Sequence, residues 1–123
     1  MKNKLNTDLT DMLNMDFPII QAPMFLVSNV SMAIEAANSG ITGCIPALNY
    51  RNISDLKEAI LAFKDTCRGP IGINLIVNKF NTKMSDQLDV CVDLGVDYII
   101  TSLGNPKSII DRCQPKGIKV FCD

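Results

Sequence analysis

The chain has 123 residues, 47% of them hydrophobic, and a formal net charge of −1 from 12 basic and 13 acidic side chains mixed along its length. That size allows one domain with a modest core, and the charge balance excludes the basic footprint of a nucleic-acid or membrane-surface binder. The longest apolar runs are only of strand length, and Lys2 and Lys4 are followed by polar residues rather than an apolar signal core, so a cytoplasmic protein with no membrane or nucleic-acid partner is expected.

Residues 1–16 read as an N-terminal extension. Leu5, Leu9, Met12 and Leu13 fall at helical spacing, which predicts a short helix that closes the bottom of the fold or packs on its side. From residue 17 one unit repeats to the end: apolar strand, polar loop, amphipathic helix, glycine, next strand. The strands read as Ile19–Ala22, Thr42–Pro46, Ile71–Val77, Tyr98–Ser102 and Ile118–Phe121. Between them, Val30, Ala33, Ile34 and Ala37 share one helix face, as do Leu56, Ala59, Ile60 and Phe63, and then Met84, Leu88, Cys91 and Val92. Ser54 is a candidate cap for the second of these helices, and Asn105-Pro106 places a capping residue before a proline at the first helical position. Gly40, Gly95 and Gly117 mark left-handed helix ends.

Strands alternating with helices at this spacing dictate parallel pairing with right-handed crossovers. An open doubly wound sheet and part of a closed barrel both fit. The sequence stops at Phe121-Cys122-Asp123, at the tip of the fifth strand, whereas a complete barrel takes eight units and typically about 250 residues. The expected fold is therefore α/β, the N-terminal half of a (β/α)8 TIM barrel with parallel strands, truncated after the fifth strand, over residues 17–123.

Five cysteines stand singly without ligand spacing and there is no histidine, which argues against a disulfide framework and a zinc site and removes the commonest general base. No G-x-G-x-x-G, Walker loop or G-x-S-x-G elbow is present. The chemistry is expected beyond the carboxyl ends of the strands, where such folds bind ligands. Pro23 has no N–H and must end the first strand, which puts Ala22-Pro23-Met24 on that rim. Asn74 shares a strand face with Gly72 and Ile76, and its amide offers a donor and an acceptor, for a ligand or for neighbouring strand ends. Tyr50 and Arg51 follow Pro46 toward the same rim, where they either line a pocket and bind an anion or are solvated. Thr101-Ser102-Leu103-Gly104 ends the fourth strand ahead of a helix N-terminus, a setting that holds a phosphate or leaves Asn105 as a simple cap. Asp123 is the one acid at a strand's carboxyl end.

The Ala-Pro-Met strand end is similar to the first strand of flavin- and nucleotide-binding (β/α) barrels. Taken in order, Pro18–Met24, Gly-Cys-Ile-Pro-Ala-Leu-Asn-Tyr-Arg at Gly43–Arg51, Gly72–Val77 and Ile-Thr-Ser-Leu-Gly-Asn-Pro at Ile100–Pro106 resemble the nitronate monooxygenases, formerly 2-nitropropane dioxygenases, from about Asp16 onward. The resemblance implies an FMN-dependent barrel acting on alkyl nitronates or nitroalkanes with O₂. It implies that Ala22, Pro23 and Met24 contact the flavin through their backbone, that Asn74 hydrogen-bonds it, and that Thr101, Ser102 and Asp123 stand beside it. The histidine and phosphate-binding loops of that family would lie beyond residue 123, so no catalytic or metal-binding residue is expected here and the isolated chain is expected to be inactive. The related enoyl-acyl-carrier-protein reductases, which use NAD(P)H, and a non-catalytic half-barrel are the alternatives. A more distant option, an inosine-monophosphate-dehydrogenase-like barrel, needs a cysteine in a glycine-rich loop, which none of these five has. Unpaired edges at the first and fifth strands invite self-association.

Overall fold

The structure, a computed structural model, describes residues 3–123; Met1 and Lys2, at the start of the expected extension, lie outside the described residues. In chain order the elements are α1 (Asp8–Leu13), β1 (Ile20–Gln21), α2 (Val30–Asn38), β2 (Thr42–Pro46), α3 (Ile53–Thr66), β3 (Ile71–Ile76), α4 (Met84–Leu94), β4 (Tyr98–Ser102), α5 (Lys107–Cys113) and β5 (Lys119–Cys122), with 3-10 turns at Ala47–Asn49 and Gln114–Lys116. The five strands form one sheet in the order β1-β2-β3-β4-β5, and every neighbouring pair is parallel. A strictly sequential order with no reversal separates a half-barrel from a doubly wound sheet, whose strand order turns back at a switch point.

Register assigns the two faces. Ile45, Ile73 and Ile99 are aligned across β2, β3 and β4 and pack with Ala33, Leu56, Ile60, Phe63, Leu88, Cys91 and Ile109 from the helices. This is the outer, helix-covered face and the main core. Alternation places the intervening residues on the inner face, where Cys44 and Tyr98 are buried with Leu13 and Met15, and Leu9, Ile20, Ile100 and Phe121 pack against them. The end of α1 therefore covers the amino-terminal half of the inner face. Gly72 makes this arrangement possible: a Cβ there would stand 2.1 Å from Tyr98 Cε2, so only glycine lets the ring lie across β3. The Tyr98 ring in turn meets Phe121 edge-on, with centroids 5.5 Å apart at 76°.

Several local boundaries differ from the sequence reading. β1 is only Ile20–Gln21, because Pro18 and Pro23 bracket it without N–H donors, and β5 is shifted one residue on, to Lys119–Cys122. α1 starts at Asp8, so Leu5 lies outside it and is 53% exposed. Its start is a reciprocal Thr7–Thr10 capping box, which satisfies the first free N–H groups. Asn52, not Ser54, occupies the cap position of α3, and Pro106 rather than Asn105 is the cap residue of α5. Asn105 still serves that end, since its Oδ1 accepts from Lys107 N at 2.9 Å. Gly40, Gly95 and Gly117 have the left-handed backbone expected of them, at φ 84°, 64° and 72°.

Among the described residues no helix is long and apolar enough to cross a membrane. Cys44, Cys67, Cys91 and Cys113 are buried and Cys122 is exposed; burial pushes the Cys91 thiol up to about 12, which leaves it unreactive.

Candidate functional site

The carboxyl ends of the strands form a rim, and the first piece of it is the loop after β1. Its shape is fixed by Ser28, which is completely buried. The Ser28 hydroxyl donates to Ala22 O at 2.7 Å and accepts from Met24 N at 2.8 Å and Gln21 Nε2 at 2.7 Å. The Met24 carbonyl accepts from both Val27 N and Ser28 N. Asn49, in the turn after β2, straps the loop from outside: its Nδ2 donates to Ser28 O at 2.8 Å and its Oδ1 accepts from Leu26 N at 2.7 Å. The polar groups of the Met24 backbone are thus spent within the loop. Ala22-Pro23-Met24 presents a fixed, largely apolar wall in which the Met24 N–H and carbonyl are not free for a ligand. Neither Ser28 nor Asn49 was singled out from sequence, because a serine directly before the α2 cap Asn29 looks like part of the capping signal.

Asn74 stands on the inner face of β3 and is 8% exposed. Its Nδ2 donates to Ile100 O at 3.0 Å and to Ser102 Oγ at 2.9 Å. A main-chain carbonyl only accepts, so the contact with Ile100 fixes the amide orientation and turns Oδ1 away. Among the described residues Oδ1 accepts no hydrogen bond, and the Ser102 hydroxyl, an acceptor here, keeps its own hydrogen free. A spare acceptor and a spare donor therefore lie side by side at the ends of two neighbouring strands. Asn74 Oδ1 therefore opens to the rim as an acceptor that no other side chain or backbone group of the described residues uses.

The remaining candidates are not all with this pair. Thr101 is 2% exposed and alternates to the outer face, where its hydroxyl donates to Phe121 O at 3.4 Å. Of these two neighbours, Ser102 offers its side chain to the inner rim and Thr101 does not. Asp123 continues the inner face beyond Phe121 by alternation, is exposed, and is anchored through its N–H to Thr101 O at 2.9 Å. Ala22–Met24 stands two strands from Asn74, a span of about 10 Å at ordinary strand spacing. Around the rim, Phe25, Leu26 and Val27 after β1, Leu48 after β2, Phe80 after β3 and Leu103 after β4 are all exposed. Among the described residues no three His, Cys, Asp or Glu side chains group as a metal ion requires.

No protein-family model matches the chain. It is 31% identical over 84 residues, 68% of its length, to the probable nitronate monooxygenase of Staphylococcus haemolyticus, of which it covers 23%. It is 23% identical over 118 residues, 96% of its length, to (3aS,4S,5R,7aS)-5-hydroxy-7a-methyl-1-oxo-octahydro-1H-indene-4-carboxyl-CoA dehydrogenase of Mycobacterium tuberculosis, and covers 32% of that protein. The chain thus spans about a quarter to a third of the length of the curated relatives it matches. Among solved structures, FabK of Thermotoga maritima superimposes with a TM-score of 0.88 at 25% identity, over 97% of this chain and 37% of FabK. Nitroalkane oxidase of Streptomyces ansochromogenes does so with a TM-score of 0.80 over 94% of this chain and 42% of its own, and at 19% identity that likeness concerns the fold alone. The two curated relatives, a monooxygenase and a dehydrogenase, are both oxidoreductases. An oxidoreductase kind is as far as these likenesses carry.

Proposed function

We propose that residues 17–123 are the flavin-holding part of a cytoplasmic, FMN-dependent oxidoreductase that oxidises alkyl nitronates or nitroalkanes with O₂, residues 1–16 being an extension. The observation that carries this reading is the open donor–acceptor pair of Ser102 and Asn74 on the inner rim. The N–H and C=O edge of a flavin pyrimidine ring needs such a pair, with Asn74 Oδ1 accepting and the Ser102 hydroxyl donating. The apolar wall of Ala22, Pro23 and Met24, held by Ser28, suits the flat face of the ring. Thr101 contributes by holding the ends of β4 and β5 together, and Asp123 by its place at the β5 rim. FMN, when bound, supplies the redox chemistry, and the protein orients the ring and keeps water from it. The 31% identity to a probable nitronate monooxygenase supports the choice of substrate class.

The chain has no histidine to take up a substrate proton and no G-x-G-x-x-G or Walker loop to hold the FMN phosphate, so by itself it is inactive and binds FMN weakly in this reading. The exposed edges of β1 and β5 favour association with a further copy or with a complementary half-barrel. A second reading keeps the barrel and flavin but takes electrons from NAD(P)H, as in the enoyl-acyl-carrier-protein reductases; it is kept because one relative, matched over 96% of the chain, is named a dehydrogenase and not a monooxygenase.

The test is FMN binding by equilibrium dialysis, with oxygen uptake on nitronate and NAD(P)H consumption measured alongside. Weak FMN retention that falls further in Asn74→Leu, with no oxygen uptake by the chain alone, is expected. A fused complementary half-barrel should restore both, with nitronate rather than NAD(P)H as the electron source. Equal FMN retention by Asn74→Leu would remove the amide from the site, and stoichiometric flavin with steady turnover by the 123-residue chain would overturn its inactivity.

A further inference from the structure

A cavity of ≈ 410 Å³ opens between the turn after β2 and the loop after β3, with Leu48, Tyr50, Arg51, Phe80, Lys83 and Gln87 among its lining residues. The flavin reading uses none of these side chains. The volume is within the range of small-molecule sites.

Its chemistry is one-sided. Arg51 and Lys83 both line it, and Lys83 Nζ donates to the Arg51 main-chain carbonyl, which ties the loop after β3 to the turn after β2. Among the described residues neither forms an ion pair, and no aspartate or glutamate lines the cavity. Two positive charges in one cavity lining without a counter-charge raise the local potential and favour an anion. Gln87 adds a neutral donor. It is 2% exposed, and Asn81 Nδ2 donates both to Ile76 O at 2.9 Å and to Gln87 Oε1 at 3.0 Å. The Ile76 carbonyl only accepts, so both amide orientations are fixed, and Gln87 Nε2 is left without a hydrogen bond among the described residues. Gln87 Nε2 therefore opens into the cavity from an otherwise buried and fixed side chain, as a donor available to a ligand acceptor. The same lining carries exposed apolar groups: Leu48 is 52% exposed, and Phe80 is 80% exposed with Lys79 Nζ 5.3 Å from its ring centroid, a further cation beside the cavity.

We propose that this cavity binds a small amphiphilic carboxylate, its head on Arg51, Lys83 and Gln87 Nε2 and its apolar body against Leu48, Tyr50 and Phe80. The planar guanidinium of Arg51 matches a carboxylate in two-point geometry, which the compact Lys83 ammonium reinforces as a point charge. The assignment is independent of flavin, because it needs no residue of the Asn74–Ser102 pair.

Calorimetric titration of the purified chain, without FMN, with 4-phenylbutyrate, its neutral amide and inorganic phosphate tests it. Saturable binding of the acid is expected, with the amide and phosphate each weaker by about tenfold or more. Arg51→Gln and Lys83→Gln, both exposed positions that leave the core alone, should each weaken the acid about tenfold and leave the amide unchanged. Gln87→Leu should weaken the acid less. Absence of saturable binding up to about 10 mM acid would overturn the proposal. So would equal affinity for acid and amide, phosphate binding as tight as the acid, or indifference to both charge variants.

Discussion

The two ends of the sheet follow different rules. At the amino-terminal end, polar groups close on one another: Asp97 Oδ2 accepts from Ile71 N at 2.9 Å, and the Thr42 hydroxyl donates to Pro70 O at 2.9 Å and lies 3.2 Å from the Tyr98 hydroxyl. The helix ends that feed it turn on Gly40, Gly95 and Gly117, where a positive φ costs nothing, and α1 ends on Asn14 at φ 51°, the side chain type that best tolerates it. At the carboxyl end, the residues with positive φ are leucines, Leu26 at 59° and Leu103 at 63°, and both are exposed. Left-handed backbone at a leucine costs about 1–2 kcal/mol, and exposed apolar side chains add nothing to the core. One end is built for stability. The other carries strain, uncovered apolar groups and unspent hydrogen-bonding capacity, which is how binding rims differ from the scaffold that holds them.

The largest test of this contrast is Gly72→Val, which strikes the packed half of the inner face. Its side chain would collide with the Tyr98 ring, and a loss of about 3 kcal/mol or more in urea unfolding is expected. A loss below about 1 kcal/mol would mean that Tyr98 does not lie across β3 as described.

Ser28→Ala is next. It leaves Met24 N without its acceptor and Gln21 Nε2 with only the Ala22 carbonyl, around a fully buried hydroxyl, so about 2 kcal/mol should be lost. Faster amide exchange confined to residues 22–28 separates loss of the loop clamp from general unfolding.

A matched pair sharpens the comparison directly. Leu26→Gly relieves left-handed strain at an exposed side chain and should stabilise by about 0.5–1 kcal/mol, while Gly95→Ala, which meets no neighbour, should cost about 1 kcal/mol from φ alone. Thermal unfolding of the two variants should therefore move in opposite directions.

The smallest effect is expected at Asp97. Burial raises its carboxyl above the usual range, against the lowering by the Ile71 N–H and Lys64. A raised carboxyl binds its proton more tightly in the folded state, so its contribution to stability is full below the unfolded value and is lost as pH rises through the folded one. Asp97→Asn keeps an acceptor for Ile71 and should flatten that part of the pH profile in urea midpoints, and an unchanged slope would show that Asp97 is not its source.

Much of the scaffold was legible because it depends on neighbours in the sequence. Proline ends β2, glycines close the helices, and the 3.6-residue spacing of Leu56, Ala59, Ile60 and Phe63 reappears as the buried face of α3. Of the site, Asn74 on the inner face followed from alternation with Gly72. The same alternation, carried through Tyr98–Ser102, separates Thr101 from Ser102, so that distinction was present in the strand although the two had been grouped. The Ser28 clamp left no comparable mark, since its partners Gln21, Ala22 and Met24 are set by the path of a loop.

The sequence by itself determined the repeating unit, its strand and helix types and the parallel direction of the strands. These follow from steric limits and periodicities that act within a few residues. Only the tertiary structure decided that strand order is sequential and that Tyr98 fills the space left by Gly72. It alone decided which polar atoms remain unspent. Asn74 meets Ile100 and Ser102, and Arg51 meets Lys83, across long stretches of chain, and whether a buried donor or acceptor is satisfied is a property of all the groups that converge on it.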